Sequence, residues 1–315
     1  MAYSATMYWR KRVQQDCGMW FFVFPLEGDV DSISTGLYLV VFSISLMLLI
    51  SLGLAVIFGM MKVINLAHGE FMMVGGYTCV LAVNGGAPLW LGVLAGGLST
   101  AVLGIVVERL VIRFLYGRII DTLLATWGLS LLLVGAATTM FGASGMGIST
   151  SFTNLSIGGM NVSSYNVILC VSSLLLLAVT WWLAVGTRAG LIVRGTMQAP
   201  EMASCLGVDR SKVYMATFGF GSCLAGLAGA ALAPITGVSP AMGGFFVAKA
   251  FIAVIVGGPL PLIGATAASS IFGAIDGIVS YIYSSVLGEV TMLIAAVLLL
   301  RMLPLGITGR MKRGM

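Results

Sequence analysis

Five long intervals of the chain contain no charged side chain, and the polar residues are concentrated between these intervals. The uncharged intervals are 36–60, 71–107, 122–187, 213–248 and 250–275. A helix needs about 20 apolar residues to cross a bilayer, so the intervals have room for about eight or nine crossings. Their apolar runs lack the residue-by-residue alternation of a membrane β-strand. The pattern therefore predicts an all-α fold, a polytopic bundle of transmembrane helices.

Composition supports a membrane protein with closely packed helices. Hydrophobic residues make up 59% of the chain and charged residues only 9%, against roughly 25% charged residues in an ordinary soluble domain. The 42 glycines are typical of helices that approach closely in lipid. Gly221, Ala225, Gly229 and Ala233 repeat every four residues, and we expect this helix face to contact another helix. The five cysteines have no C-x-x-C spacing and predict neither a metal cage nor a disulfide framework.

Basic residues indicate which segments face the cytoplasm. They gather at 109–118, 188–212 and 310–313, and the positive-inside rule places all three segments inside. Residues 142–164, rich in glycine, serine and asparagine, then form an external loop. The chain contains no G-x-x-x-x-G-K-[ST] phosphate loop. Any ATP-driven work therefore has to come from a partner protein.

The sequence divides into an N-terminal extension, residues 1–35, and one transmembrane domain, residues 36–315. In the extension, the apolar residues 20–24 are too few to cross a bilayer, and we expect an interfacial anchor. The longest polar segment on the cytoplasmic side is 188–212. At its centre, Pro200 suits the first turn of a short helix, with Glu201 near the positive end of its dipole and Gly207 as its C-terminal stop.

Three stretches resemble the permease subunits of branched-chain amino-acid ABC importers. They are GLAVIFGMMKVINLAHGEFMMVGGY at 53–77, RAGLIVRGTMQAPEMASCLGVD at 188–209 and KAFIAVIVGG at 249–258. Within the second stretch, EMASCLG is similar to the E-A-A-x-x-x-G loop by which such permeases dock onto their ATPases. The family usually continues Gly257-Gly258 with another glycine two residues later, whereas this chain has Pro259-Leu260-Pro261. These prolines either stiffen a turn or break a helix.

The resemblance implies a multi-pass subunit of an importer in the bacterial inner membrane. The implied partners are a second, different permease subunit, two ATPase subunits and a periplasmic substrate-binding protein. ATP and Mg are used by the ATPases, and the chain itself binds no cofactor and no nucleic acid. ATP-driven closure would move segment 188–212 and reorient the bundle, giving alternating access. The residues that the resemblance assigns to ATPase coupling are Arg194, Glu201, Ala203 and Gly207.

The stretch TLLATWG at 122–128 is similar to permeases of urea and short-amide importers, and we therefore favour urea or a short amide as the substrate. One alternative is the same machine importing branched-chain amino acids. A zwitterionic substrate calls for charged groups or helix termini at the path, which the sequence does not clearly supply. The more distant alternative is a self-sufficient channel or secondary transporter. Such a protein would not require the segment 188–212.

The only histidine, His68, lies two positions from Glu70 and invites an enzymatic reading. A metal centre needs about three protein ligands, and no second histidine or nearby cysteine pair is present. We therefore predict no catalytic and no metal-binding residue. Asn65 and His68, three positions apart, either hold a helix start and bond between helices or line the substrate path.

Three hydroxyls form a second set of candidates for the substrate path. Thr122, Thr126 and Ser130 lie at i, i+4 and i+8, on one helix face, with Trp127 beside them. Neutral hydrogen-bonding groups suit urea, although hydroxyls in membrane helices often bond to their own i−4 carbonyl instead. Elsewhere, Lys249 and Asp276 lie in apolar stretches. We expect them to pair, because a lone buried charge is costly.

Overall fold

The computed structural model describes residues 30–148, 154–157, 160–303 and 306–309, and almost all of them are helical. Short 3₁₀ turns cover Ile112–Leu115 and Ile307–Gly309, and two strands, β1 (Asn154–Ile157) and β2 (Met160–Ser163), form an antiparallel hairpin. The α-helices are α1 (Val30–Met61), α2 (His68–Asn84), α3 (Leu89–Leu110), α4 (Ile119–Phe141), α5 (Ser164–Gly186), α6 (Arg188–Gln198), α7 (Pro200–Cys205), α8 (Arg210–Thr236), α9 (Met242–Gly257), α10 (Pro261–Ile282) and α11 (Ser285–Met302).

Seven helices of the described residues are long and apolar enough to cross a membrane, and α9 is a shorter apolar helix. The long ones are α1, α3, α4, α5, α8, α10 and α11. This confirms the polytopic all-α fold. The hairpin of β1 and β2 was not foreseen, and it lies in the segment 142–164 for which a loop was predicted. Residues 20–24 lie outside the described residues, and α1 already begins at Val30, before the predicted start of the domain at residue 36.

The centre of the bundle is formed by α1 and α8. Helix α1 packs against α8, α9 and α10, and α8 packs against α1, α2 and α3. The small-residue face of α8 makes these contacts close: a Cβ on Gly221 would lie 3.0 Å from Gly53 O of α1, and one on Gly229 would meet the backbone of Met72 in α2. The predicted contact face is therefore present, and it joins α8 to two neighbouring helices.

Helix α4 lies at the edge of the described bundle. Its main contacts are with the preceding 3₁₀ turn, with α2 and with the segment before α2, and most of its surface is exposed, including Ile120 and Trp127. The turn between α9 and α10 answers the question raised by the two prolines. Gly258 ends α9 with a φ of 87°, and Pro261 is the first residue of α10. Proline suits a first helical position, so the prolines shape a turn between two helices.

Candidate functional site

Two unusually short helices begin at the same place in the bundle. Helix α2 has 17 residues and α9 has 16, fewer than the roughly 20 needed to cross a bilayer. Gly69 in the first turn of α2 packs against the backbone of Gly243 in the first turn of α9. A Cβ on Gly69 would lie 2.7 Å from Gly243 Cα, and one on Gly243 would lie 2.8 Å from Gly69 C. We call this contact between the two helix N-termini the junction.

The junction lies deep in the bundle. A Cβ on Gly53 of α1 would lie 3.1 Å from His68 Cε1 and 3.0 Å from the backbone nitrogen of Ala225. Ala225 is near the middle of the 27-residue helix α8. Helix α2 therefore starts beside the middle of a long apolar helix. Short helices that end inside a bundle bring the partial positive charge of their N-termini to membrane depth.

Asn65 shapes the segment that leads into α2. Its side-chain Oδ1 accepts a hydrogen bond from the Ala67 backbone nitrogen at 3.1 Å, and its carbonyl accepts one from His68 N at 3.3 Å. Asn65 is fully buried, yet its Nδ2 has no hydrogen-bond partner among the described residues. The side chain thus holds the turn before the helix, one of the two roles expected for it, and leaves a buried donor unused.

His68 joins α2 to α1. The ring is fully buried, and its Nε2 lies 3.0 Å from Ile50 O, so Nε2 is the protonated nitrogen that donates this bond. Nδ1 has no partner in the described structure. The arrangement fixes one helix against another, as interhelical bonds in membrane proteins do.

The hydroxyl face of α4 is turned toward α2 and the segment before it. Thr126 Oγ1 lies 3.2 Å from Ile64 O and accepts a bond from Leu66 N at 3.2 Å. These two residues flank Asn65. Ser130, one turn further along α4, interacts with the Glu70 carboxylate.

Two other candidates on α4 take no part in this contact. Thr122 is buried and bonds to the carbonyls of Arg118 and Ile119 at the start of its own helix, which is the alternative expected for a membrane hydroxyl. Trp127 is 54% exposed. The structure therefore brings Asn65, Thr126 and Ser130 to one region and leaves Trp127 on the outer surface.

Glu70 lies at the junction itself. It is 3% exposed, and a Cβ on Gly243 would lie 2.8 Å from its Oε1. Oε2 has no hydrogen-bond partner in the described residues, where the ion pairs are Arg118–Asp121, Lys212–Asp209 and Lys249–Glu289. Sequence reasoning did not select Glu70, because its separation from His68 by two positions places it on a different helix face. One feature of the sequence could have drawn attention to Glu70: it is a charged residue directly after Gly69 and directly before the uncharged interval 71–107.

The segment 188–212 contains two short helices, α6 and α7. Pro200 begins α7, Glu201 lies in its first turn, and Gly207 follows its end with a φ of 84°. Val208 N bonds to Ala203 O and Gly207 N bonds to Ser204 O, each at 3.0 Å. This is the Schellman arrangement, in which a glycine in the left-handed region ends a helix. The short helix predicted around Pro200 is therefore present.

The outer surface of α7 is apolar as well as charged. Met202 is 64% exposed and Leu206 is 79% exposed, while Glu201 is also exposed. Of the other predicted coupling residues, Ala203 is buried, and the Arg194 side chain bonds back to Gly190 O at 3.4 Å. A short helix that carries large exposed apolar side chains in a predicted cytoplasmic segment is suited to contact with another protein.

The expected pair of Lys249 and Asp276 is corrected by the structure. Lys249 Nζ lies 2.5 Å from Glu289 Oε1, which joins α9 to α11. Asp276 on α10 interacts instead with Ser280 and Ser43, although Lys249 is near enough to act on it electrostatically. Two acidic residues on successive helices compete for one lysine, and helix packing brings Glu289 into direct contact.

Comparison with known proteins identifies relatives over nearly the whole described chain. The family described as branched-chain amino acid transport system / permease component matches residues 36–303. The chain is similar to the high-affinity branched-chain amino acid transport system permease protein LivH of Salmonella typhimurium, with 29% identity over 83% of this chain and 91% of that protein. It is also similar to a probable LivH of Methanocaldococcus jannaschii (28% identity, 84% and 89% covered) and to BraD of Pseudomonas aeruginosa (26%, 83% and 91%). No solved structure matches the chain significantly.

Proposed function

We infer from the chain's membership of the branched-chain amino acid permease-component family, to which it belongs through residues 36–303, that it is the transmembrane subunit of an ATP-driven importer. The fold is consistent with this role, since it combines seven apolar helices long enough to cross a membrane with two shorter helices, α2 and α9, whose first turns meet in the junction. We further place it in a bacterial inner membrane. The observation that carries the proposal is the family match over residues 36–303, which covers nearly all of the helical bundle.

Branched-chain amino acids are the substrate that we propose. The three relatives described above are named for transport of these amino acids, whereas nothing found here supports the preference for urea or short amides that the stretch at 122–128 suggested. The junction adds a physical argument. A zwitterion needs charged groups or helix termini along its path, and the junction contains the buried Glu70 together with the N-termini of α2 and α9.

Energy for transport would come from separate ATPase subunits, and α7 is the element that we assign to their contact. Its exposed Met202 and Leu206 would dock into an ATPase groove, with Glu201 at the rim and Gly207 holding the helix end. Helix α6 connects α7 to the bundle through α5 and α8. Movement of the ATPases would then be transmitted to α8, whose small-residue face contacts α1 and α2. A second permease subunit and a periplasmic binding protein complete the proposed machine.

Uptake measurements in cells that express the complete transporter test the substrate. Labelled leucine and labelled urea are supplied separately, each with an excess of unlabelled leucine, acetamide or urea. We expect labelled leucine to be taken up, with its uptake blocked by unlabelled leucine and unchanged by acetamide and urea. Urea uptake that acetamide blocks and leucine leaves unchanged would overturn the substrate assignment. Uptake that persists when Glu201 and Gly207 are both replaced would instead favour a self-sufficient channel or secondary transporter.

A further inference from the structure

We propose that Glu70 receives the ammonium group of the amino acid as the substrate crosses the bundle, with its free Oε2 as the accepting atom. The inference rests on the proposed function and goes beyond it by assigning a substrate-contacting residue. It starts from an observation within this chain: a carboxylate that is 3% exposed has one oxygen without any hydrogen-bond partner among the described residues. Ionisable groups at membrane depth are costly and mark substrate or ion pathways.

The charge of Glu70 lacks a counter-ion in the described part of the chain. The three ion pairs found there engage other carboxylates, and the half-buried Asp276 has Lys249 nearby to offset its charge. A buried carboxylate without a compensating charge is costly, and a positive group that reaches it offsets that cost. An ammonium group offers a full positive charge and three N–H donors. It therefore matches both the charge and the acceptor that Glu70 leaves open.

The two helix N-termini lower the cost of a negative charge on the Glu70 carboxylate. Glu70 lies in the first turn of α2, and its Oε1 is close to Gly243 in the first turn of α9. Each N-terminus carries about half a positive charge, which favours an anion placed within the first turn. This stabilisation engages one side of the carboxylate. Oε2 remains available for a ligand.

A group of opposite character lies close by in the chain. Asn65 is fully buried and its Nδ2 donor has no partner in the described structure. The residues on either side of Asn65 bond to Thr126 of α4, and Ser130, one turn further along, interacts with Glu70. An amino acid requires an acceptor for its ammonium group and a donor for its carboxylate. Glu70 provides the acceptor and Asn65 the donor. Glu70 lies beside Ser130 of α4, and the neighbours of Asn65 bond to Thr126, one turn earlier on α4.

Helix α4 is the element best placed to open this region. It lies at the edge of the described bundle, and its main contacts are with α2, the segment before α2 and the preceding 3₁₀ turn. The structure shows Glu70 enclosed, with Ser130 of α4 against it. Displacement of α4 would remove Ser130 from Glu70 and would break the bonds of Thr126 to the neighbours of Asn65, while leaving the close contacts of α8 with α1 and α2 in place. The enclosed arrangement corresponds to a closed path in this interpretation.

The first experiment compares two buried carboxylates by the same substitution in the complete transporter. Glu70→Gln removes the charge at the junction. Glu108→Gln is the matched control, since Glu108 is 1% exposed and accepts a hydrogen bond from Tyr116 OH at 2.5 Å, away from the junction. We expect leucine uptake per assembled complex to fall at least tenfold in E70Q and less than threefold in E108Q, about 1.4 kcal/mol against 0.7 kcal/mol or less. A loss in E70Q that does not exceed the loss in E108Q overturns the proposal.

A second measurement uses the unmodified transporter and remains decisive if E70Q does not assemble. The purified complex in lipid, with its binding protein, is treated with dicyclohexylcarbodiimide, which reacts with protonated carboxyl groups in apolar surroundings, and modification of Glu70 is measured by mass spectrometry. We expect excess leucine to reduce modification of Glu70 several-fold. We expect 4-methylpentanoate, which has the same carbon branch and carboxylate but no ammonium group, to leave it unchanged. Equal modification with and without leucine overturns the proposal. This result is expected if a basic residue of another subunit, and not the substrate, neutralises Glu70.

The two proposals fail in distinguishable ways. If the unmodified transporter takes up leucine and Glu70 is neither protected by leucine nor required beyond the level of Glu108, only the role of Glu70 is wrong. If the unmodified transporter does not take up leucine but takes up urea, the proposed substrate is wrong. The proposed role of Glu70 is then wrong as well, because urea has no ammonium group.

Discussion

The junction inside the bundle and the end of α7 at its surface both depend on glycine, for opposite reasons. Gly243 has no space for a side chain, because a Cβ there would lie 2.8 Å from Gly69 C and from Glu70 Oε1. Gly207 has ample space, since a Cβ there would meet nothing within 4 Å, but its φ of 84° lies in the left-handed region. The first glycine permits two helix backbones to touch. The second permits one helix to end.

The junction therefore depends on close packing of helices, whereas α7 depends on the way its side chains are exposed to a partner. The junction is enclosed and holds buried polar groups, so an alteration there is felt by several helices at once. Helix α7 is short, exposed and connected to the bundle mainly through α6 and α8, so an alteration there leaves the core intact. We therefore expect junction variants to lose assembly and α7 variants to lose transport while still assembling. The following substitutions test this contrast in order of expected effect.

The largest effect is expected for Gly243→Ala. The added methyl group would overlap the backbone of Gly69 and the carboxylate of Glu70, and overpacking of this kind costs about 1–3 kcal/mol. The neighbouring Gly244 is exposed, with nothing within 4 Å of a Cβ, so G244A adds the same group to the same helix turn without overlap. Thermal unfolding in detergent should show a clearly lower midpoint for G243A than for the unmodified protein. The midpoint of G244A should not be lowered. Equal midpoints would contradict the close contact of α2 and α9.

Loss of transport without loss of assembly is expected for Leu206→Ser. The side chain is 79% exposed, so its replacement should leave the unfolding midpoint within a degree of that of the unmodified protein. If Leu206 is buried by an ATPase, the lost apolar contact is worth about 1.5–3 kcal/mol, or roughly 10- to 100-fold in affinity. Binding of the ATPase subunits to purified L206S measures this directly. Ser204→Ala on the same exposed helix is the control, and unchanged binding by L206S would remove α7 from the proposed interface.

An intermediate effect on stability is expected for Thr126→Val. This change keeps the shape of the side chain but removes the hydroxyl that bonds to Leu66 N and lies against Ile64 O. Buried groups left without partners cost about 1–3 kcal/mol. Thr139→Val on the same helix is the control, because Thr139 is exposed and bonds only to carbonyls of α4. The difference in unfolding midpoint between the two variants reports the attachment of α4 to the segment before α2. Identical midpoints would show that this attachment contributes nothing.

Local sequence signals predicted α7 more fully than they predicted the junction. Pro200, Glu201 and Gly207 each act through the backbone of their own helix, so their positions were sufficient to predict its start and its end. The junction brings together Gly69 and Gly243, which are far apart in the chain. Their contact depends on how α1 and α8 position the segments before α2 and α9, and no short pattern contains that information. The functional interest of Glu70 follows from this contact and was therefore missed.

The charge pairs show the same limit in a simpler form. Sequence correctly indicated that Lys249 would need an acidic partner, because an unpaired charge among apolar helices is costly. It selected Asp276 as that partner and did not consider Glu289, which lies on the next helix. The choice depends on the relative rotation of α9, α10 and α11, which is set by packing of their apolar faces. Glu289 is the residue that reaches the lysine.

The smallest effect is expected for Gly207→Ala, which alters only the conformational preference of one residue. A non-glycine residue in the left-handed region costs about 1–2 kcal/mol. We expect the end of α7 to unwind in response, because the added Cβ would meet nothing within 4 Å and would not disturb other helices. Uptake should fall a few-fold while the unfolding midpoint of the bundle stays constant. Asparagine adopts this region more readily than alanine, so G207N should retain more uptake than G207A. Gly195→Ala in the neighbouring α6 is the control, because Gly195 also has nothing within 4 Å of a Cβ but does not have a positive φ. If G207A and G195A have the same uptake, the helix end at Gly207 is not needed to position Met202 and Leu206 for contact with the ATPases. Glycine would then matter at the junction, where it permits close packing, and not at the end of α7.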